Sequence, residues 1–172
     1  MSLLVVTSGL PGVGKSAIAR ELARRCSLFH IELDHLEAAL FRQGISGDQL
    51  GWAGYDMITA LADDNLAIDH SVVLDAVAWT TAVREGWAAL AAEHHADFRP
   101  IEVICSDRRV HRERLEQRRR NIEGFPETSW NDVQEAGERF EPWTGERLIL
   151  DTCDPMGAVI GRAIAYLGAP LP

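Results

Sequence analysis

The chain has 172 residues, 47% of them hydrophobic, which suits one globular domain with a sizeable core. Its net charge of -9 argues against a surface built to cover a nucleic-acid backbone, although a local basic patch could still hold phosphates. The N-terminal apolar run is short and lacks a basic leader, and no later run reaches membrane-spanning length. We therefore expect a cytoplasmic protein without a membrane partner.

Strand-like and helix-like segments alternate along the chain. Short apolar or alternating runs predict five strands, at residues 3–9, 28–34, 70–77, 100–106 and 147–151. Helices are clearest at 81–94, at 108–120 and in the last segment, where Asp154 is expected to cap the helix and Pro155 to open it. This alternation predicts an α/β fold in which a parallel sheet lies between two layers of helices.

Two segments are less regular than the rest. Residues 44–54 contain four glycines, and residues 121–146 carry two prolines and two tryptophans. Long irregular insertions in a compact α/β domain are usually functional loops or lids. We therefore expect a single domain over 1–172, with one insertion at about 35–69 and a lid at about 112–143.

Three cysteines, Cys26, Cys105 and Cys153, are widely spaced along the chain, and none belongs to a CxxC pair. Each of them lies in or beside an apolar run. This pattern favours reduced core residues over a zinc site, a redox motif or a catalytic thiol.

The stretch GLPGVGKS, residues 9–16, matches GxxxxGK[ST] directly after a predicted strand and directly before a predicted helix. Its glycines let the backbone wrap closely, and its amides point at phosphate oxygens at a helix start. A nucleotide triphosphate is therefore the predicted ligand. The predicted nucleotide-binding residues of the loop are Gly9, Gly12, Val13, Gly14, Lys15, Ser16 and Ala17.

Lys15 is the only lysine among the 17 lysines and arginines of the chain. A compact ammonium can bridge the β- and γ-phosphates of ATP where a planar guanidinium would fit badly. We predict that Lys15 also acts in catalysis and that the Ser16 hydroxyl binds Mg²⁺.

Two absences favour phosphate transfer over hydrolysis. The run VVLD is followed by Ala76, where motor-type ATPases commonly carry an acidic residue that orients water. An NKxD guanine motif cannot occur, because the sole lysine of the chain lies in the phosphate loop.

Acidic residues end two of the predicted strands, where open α/β sheets present groups to ligands. Asp34 is predicted to accept a proton from the acceptor hydroxyl, with a plain helix cap as the alternative. Asp75 is predicted in the Mg²⁺ shell or in substrate positioning, with a solvated strand end as the alternative. Glu32 is predicted to contact the water shell of the metal, with a buried polar edge as the alternative. His30 is interpreted as a structural residue.

The segment 107–120 holds seven arginines, three of which can pair with Glu113 or Glu116 at i,i+4 spacing. Arg114 and Arg118 have no acidic residue three or four positions away, so an anion between them would relieve their repulsion. We predict that both bind ATP phosphates and that Arg118, with Arg119 or Arg120, neutralises charge during transfer. A patch for nucleic-acid phosphate is the alternative.

Together these motifs resemble small P-loop kinases, in particular the chloramphenicol phosphotransferase, polynucleotide kinase and zeta-toxin-like group. The resemblance rests on GLPGVGKS, IELDHLEAAL, VVLDAVAW, HRERLEQRRR and LILDT, and it covers most of the chain. It implies a five-stranded parallel sheet of order 2-3-1-4-5, ATP with Mg²⁺, and a helical lid. It further implies Asp34 as general base, Arg118 in the lid and the turn from Thr152 to Asp154 near the adenine.

We expect transfer of the γ-phosphate to a hydroxyl of a small metabolite, nucleoside or antibiotic. The acceptor pocket is expected to be lined by residues 44–55 and by the end of the third strand, where Trp52, Tyr55, Trp79 and Arg84 are available, although tryptophans at such spacing also pack cores. A polynucleotide 5′-hydroxyl kinase is disfavoured, because HLEAALFR has no arginine before Arg42. A regulatory nucleotide-binding or hydrolysing module without an acceptor stays open.

Overall fold

The computed structural model describes residues 2–118 and 122–168, which form five strands and eight helices, with at least one helix between successive strands. The strands are β1 (Leu3–Ser8), β2 (Phe29–Glu32), β3 (Val72–Asp75), β4 (Asp97–Ile104) and β5 (Leu148–Asp151). The helices are α1 (Lys15–Cys26), α2 (Leu33–Arg42), α3 (Gly47–Leu50), α4 (Ala53–Leu66), α5 (Thr81–Glu93), α6 (Arg108–Gln117), α7 (Trp130–Arg139) and α8 (Met156–Leu167). None of these helices is both long enough and apolar enough to cross a membrane.

The five strands form one sheet of order β2-β3-β1-β4-β5, and every neighbouring pair is parallel. The predicted fold class and strand order are thus confirmed. Because all strands run the same way, their carboxyl ends meet along one edge. In register, Thr7 lies opposite Asp75, and Asp75 lies opposite Glu32. The polar residues that end these strands therefore form a row at that edge.

Helices cover both faces of the sheet. Successive side chains of a strand point to opposite faces, so Val5 packs in the cluster with α1 and α8, while Leu4 and Val6 pack in the cluster with α4 and α5. All three side chains are fully buried. Burial on both faces explains why the inner strands read as continuous apolar runs in the sequence.

Two predicted boundaries differ from the structure. β2 ends at Glu32, so Asp34 lies in the first turn of α2 and not in the strand, because the buried Leu33 already packs as a helical residue. At the last helix the N-cap is Pro155, and Asp154 lies one position before it. The predicted cap at Asp154 is therefore wrong.

Both segments expected to be irregular contain helices. α3 and α7 each begin with a capping box, formed by Ser46 with Gln49 and by Ser129 with Asp132. Their glycines and prolines lie mainly between the helices. The extents of the predicted insertion and lid stay predictions, and those made for Arg119 and Arg120 concern positions outside the described residues.

The strand order predicts where truncation is costly. Ile101 is fully buried in the interior strand β4, whereas Ile149 on the edge strand β5 is 43% exposed. Ile101→Ala should lower the free energy of unfolding by about 2–4 kcal/mol, because a cavity is left in the core. The matched Ile149→Ala should cost less than about 1 kcal/mol. Urea denaturation followed by circular dichroism measures both, and equal costs would contradict the packing.

Candidate functional site: a phosphate loop and an adjoining cavity

The loop between β1 and α1 has a backbone that requires glycine. Gly9, Gly12 and Gly14 have φ angles of 140°, 87° and 103°, in a region that L side chains rarely adopt. A Cβ on Gly9 would lie 2.2 Å from the carbonyl oxygen of Val103, and one on Gly12 would lie 2.8 Å from Cδ1 of Leu115. The loop therefore wraps closely, and it ends at the N-terminus of α1, where backbone amides attract anions.

A cavity of about 340 Å³, called here the phosphate cavity, opens over this loop. Most of the predicted site residues meet there, although they come from three parts of the chain: the loop with the start of α1, the junction of β2 and α2, and the end of α6. Its lining consists of Gly12, Gly14, Lys15, Ser16, Ala17, Arg20, Glu32, Asp34, Arg114, Arg118 and Ile122.

Three residues predicted to bind the nucleotide do not line the phosphate cavity, as the described residues define it. Gly9 and Val13 form the back of the loop and line a separate cavity beside β4. Asp154 is exposed on the turn before α8, and its carboxylate lies 3.7 Å from the guanidinium of Arg162. A nucleotide contact of Asp154 therefore stays a prediction.

The carbonyl groups of the loop are bonded to distant parts of the chain. The Thr152 hydroxyl donates to the carbonyl of Val13 at 2.8 Å, and Nε2 of His111 donates to that of Pro11 at 2.8 Å. Burial lowers the pKa of His111 despite the bond to Pro11, so the ring is neutral with its proton on Nε2. Because these loop carbonyls point towards Thr152 and His111, the amides of the loop can point away from them, as an anion site requires.

The side chain of Lys15 is held close to the loop. It is 9% exposed, and Nζ donates to the carbonyl of Leu10 at 3.1 Å. The only ammonium of a lysine in this chain therefore lies within the phosphate cavity.

Asp75 presents a buried carboxylate beside the loop. Thr7 donates to Oδ1 at 3.4 Å, and Nε2 of His30 lies 3.6 Å from Oδ2. Burial alone would raise the pKa of Asp75, but the His30 ring, the charge of Lys15 and the Ser16 hydroxyl together hold it below its ordinary value. Asp75 is therefore ionised, and His30 contacts a site residue instead of only packing in the core.

The carboxylate of Glu32 is contacted by the side chains of Arg20 and His35. Nη2 of Arg20 lies 2.8 Å from Oε2 of Glu32, and Nδ1 of His35 lies 3.1 Å from the same oxygen. Ligand atoms of Glu32, Asp75 and His30 all lie within 4.8 Å of one another. The predicted metal contact of Glu32 stays a prediction.

The arginines of α6 and its C-cap fall into two sets: those in ion pairs and those that line the phosphate cavity. The predicted ion pairs of Arg109 with Glu113 and of Arg112 with Glu116 form, each with an N–O distance of 2.7 Å. The predicted second pair of Glu116, with an arginine at 120, lies outside the described residues. These pairs occupy the exposed side of the helix.

Arg114 and Arg118 lie on the side of α6 that lines the phosphate cavity. Arg114 donates to the hydroxyl and to the carbonyl of Thr152, both at 3.0 Å, and so bridges to the turn after β5. Arg118 is the C-cap of α6. Both positions are compatible with the predicted contact to phosphate.

A second cavity of about 400 Å³, called here the acceptor cavity, adjoins the phosphate cavity at Asp34. Helices α2 and α7 and the segment after β3 form its walls. Its lining consists of Pro11, Leu33, Asp34, Glu37, Tyr55, Val77, Trp79, Phe125, Thr128, Asp132, Glu135, Ala136 and Arg139.

The predicted aromatic lining is present in part. Tyr55 and Trp79 line the acceptor cavity, and Trp52 stacks on Trp79 with ring centroids 5.7 Å apart. Burial, followed by the negative charge of Glu37, raises the pKa of Tyr55. The phenol therefore stays protonated.

Arg84 does not line the acceptor cavity, contrary to the expectation from sequence. It is 4% exposed and donates to the carbonyls of Thr80 and Glu141 at 3.1 and 2.8 Å. Its guanidinium carbon lies 4.5 Å from the ring centroid of Trp143. Arg84 thus ties α5 to the segment that returns from α7 to β5.

The pocket lining expected from the sequence does not include the residues of α7 that line the acceptor cavity. Asp132, Glu135, Ala136 and Arg139 recur at i, i+3, i+4 and i+7, which places them on one face of a helix. The capping box at Ser129 was the signal that could have found this helix.

The fold is a P-loop kinase-like fold. The family described as AAA domain matches residues 4–142, and the chain belongs to this family. The resemblance to small P-loop kinases is confirmed at the level of the fold. No curated protein gives a significant match.

Three solved structures share the fold. A sugar kinase from Janibacter sp. HTCC2649 is 18% identical, with a TM-score of 0.72 over 98% of this chain and 96% of that chain. A gluconokinase from Sinorhizobium meliloti 1021 is 22% identical, with a TM-score of 0.69 over 96% and 91%. Kti12 from Chaetomium thermophilum, solved with ADP-AlF3, is 18% identical, with a TM-score of 0.76 over 96% and 98%.

Thr152 offers a test of how the loop is held. Thr152→Val keeps the side-chain volume but leaves the carbonyl of Val13 without its donor, so the free energy of unfolding should fall by about 1–3 kcal/mol. Nucleotide affinity should fall as well, because the loop loses an anchor. Thr144→Val, at an exposed position, is the control. Chemical denaturation and calorimetry measure both effects, and indistinguishable variants would contradict the role of Thr152.

Proposed function

We propose that the protein is an ATP-dependent phosphotransferase that moves the γ-phosphate of ATP to a hydroxyl of a small molecule. One observation carries this proposal: Asp34 lines both the phosphate cavity and the acceptor cavity. A hydroxyl bound in the acceptor cavity therefore meets a carboxylate at the boundary with the phosphates. The fold shared with a sugar kinase and a gluconokinase supports this reading.

The residues of the phosphate cavity suit a polyphosphate. The loop wraps so closely that a Cβ at Gly12 would not fit. Because Gly12 carries no side chain, the amides of the loop stay accessible to oxygens of a ligand. Lys15 supplies a point charge for the β- and γ-phosphates, and Arg114 and Arg118 add guanidinium groups to the lining of the same cavity.

Ser16 and Asp75 would hold Mg²⁺, with Glu32 near its water shell. The fit rests on Oδ2 of Asp75, which is buried and makes no hydrogen bond among the described residues, although Nε2 of His30 lies 3.6 Å away. Together with the Ser16 hydroxyl, it offers the oxygen ligands that Mg²⁺ prefers. When bound, the ion would neutralise part of the charge of the phosphates.

Asp34 positions and deprotonates the acceptor. Its carboxylate accepts the hydroxyl proton while the hydroxyl oxygen bonds to the γ-phosphorus, and the bond from that phosphorus to the β–γ bridging oxygen breaks. ADP leaves with the bridging oxygen. Lys15 and Arg118 stabilise the charge that develops during this step.

A second candidate is a nucleotide-binding or hydrolysing module without a small-molecule acceptor. The fold shared with Kti12 supports it. A screen with labelled ATP separates the candidates, using hydroxylated metabolites, nucleosides, antibiotics and 5′-hydroxyl oligonucleotides. ADP release that requires one acceptor supports transfer, and ATP turnover unaffected by every acceptor supports the second candidate. Labelling of the oligonucleotides alone would point to a polynucleotide kinase.

Lys15→Ala should weaken Mg·ATP binding at least tenfold, or about 1.4 kcal/mol, because the phosphates lose their ammonium. Lys15→Arg should also fail to restore full affinity, since a planar guanidinium does not fit where Lys15 is 9% exposed. Calorimetric titration measures both variants. Unchanged affinity in Lys15→Ala would refute the assignment of the loop.

Asp34→Asn should retain Mg·ATP binding and slow transfer by about 10²–10⁴-fold, because the amide cannot accept the proton. Asp48→Asn is the matched control, since Asp48 also lies in the first turn of a helix. Initial rates with the acceptor found in the screen measure the effect. Equal rates for the two variants would remove Asp34 from the mechanism.

A further inference from the structure

Cys105 and Cys153 lie side by side next to Thr152 and Arg114. Cys105 directly follows β4, Cys153 lies two residues beyond β5, and their Sγ atoms are 3.5 Å apart. Cys153 is exposed and Cys105 is partly exposed. The expectation of a core position is therefore wrong for Cys153.

The contacts around this thiol pair lead directly to the phosphate loop. Thr152, the neighbour of Cys153, donates to a loop carbonyl at 2.8 Å and receives two hydrogen bonds from Arg114 at 3.0 Å. Nη1 of Arg114 also lies 3.9 Å from Sγ of Cys105. A Cβ on Gly14 would lie 3.3 Å from Cγ2 of Thr152. Thr152, which directly precedes Cys153 in the chain, thus contacts the loop directly.

The backbone around the two cysteines keeps the sulfurs together. Oδ1 of Asp151 accepts from the amides of Ser106 at 3.1 Å and of Cys153 at 2.9 Å, which joins the two turns. The amide of Asp107 lies 3.4 Å from Sγ of Cys153. A disulfide needs the sulfurs at about 2.05 Å, so closure requires an approach of about 1.5 Å. The two turns start from adjacent paired strands, which places a bond within reach.

We propose that Cys105 and Cys153 are a modification site at which a reversible disulfide forms and weakens nucleotide binding. The oxidant is a low-molecular-weight disulfide such as oxidised glutathione. The effect on nucleotide binding rests on the proposed function, whereas formation of the disulfide does not.

The exchange balances in two steps. Burial raises the pKa of Cys105, so the exposed Cys153 attacks first. Its thiolate bonds to one sulfur of the oxidant and breaks the oxidant's sulfur–sulfur bond, which releases one small thiol. The thiolate of Cys105 then bonds to the sulfur of Cys153 and releases the second. The protein loses two electrons and two protons, and the two released thiols carry them.

Closure changes the position of Thr152. Bond formation draws Cys153 towards β4, and Thr152 already contacts the loop at hydrogen-bond and van der Waals distances. The shift therefore disturbs the loop carbonyl that Thr152 holds and the guanidinium of Arg114. Both groups belong to the surroundings of the phosphates, so we expect weaker binding.

The test uses the full chain, treated with oxidised glutathione and analysed by intact mass and by calorimetric titration with Mg·ATP. Wild type and the control Cys26→Ser should each lose the mass of two hydrogens, and Mg·ATP should bind at least threefold more weakly, with recovery in dithiothreitol. Cys105→Ser should retain a glutathione adduct on Cys153, because the resolving thiol is missing.

Three other outcomes separate the parts of the proposal. Glutathione adducts on wild type without an internal disulfide would overturn the modification site. A disulfide that leaves Mg·ATP affinity unchanged would overturn its coupling to the loop. If the reduced protein binds no Mg·ATP, the proposed function fails, and the mass measurement still decides whether the thiol pair closes.

Discussion

The site depends on hydrogen bonds to the carbonyl groups of the phosphate loop, which hold the loop in its shape. Three glycines adopt positive φ angles that other residues avoid, and Gly9 passes so close to Val103 that no side chain fits. The loop keeps this shape because Thr152 and His111 bond its carbonyl groups. These anchors come from segments after β5 and in α6, so the geometry of the anion site is a property of the whole sheet edge.

Two buried charges beside the loop stabilise one another. Lys15 is 9% exposed and Asp75 is 3% exposed, and a buried charge without a partner would be costly. The charge of Lys15 helps to keep Asp75 ionised against the effect of burial. A compact ammonium can hold this position and reach the Leu10 carbonyl, whereas a guanidinium would have to satisfy five donors in a fixed plane. This explains why a chain so rich in arginine has lysine here.

The sequence predicts those features of the fold and the site that depend on neighbouring residues. It does not predict contacts between residues that are far apart in the chain. Short apolar or alternating runs predict the five strands, and the GxxxxGK[ST] pattern locates the loop between β1 and α1. By contrast, His111 and Pro11 are 100 positions apart, and Cys105 and Cys153 are 48 apart, so no spacing rule joins them. Alternation in the sequence continues past Glu32 and so predicts Asp34 in a strand, whereas Leu33 already packs as the first helical residue.

The two halves of the site differ in how firmly the fold holds them. The phosphate side is built on β1 and α1, whose Val5 and Ile18 are fully buried. The acceptor side includes α7, in which only Val133 is buried, and it is fixed by a capping box at one end and by contacts of Arg84 after the other. A wall of this kind can change its side chains without disturbing the phosphate loop. One fold can therefore serve different ligands, and under the proposed function the choice of acceptor would depend on this wall and not on the sheet.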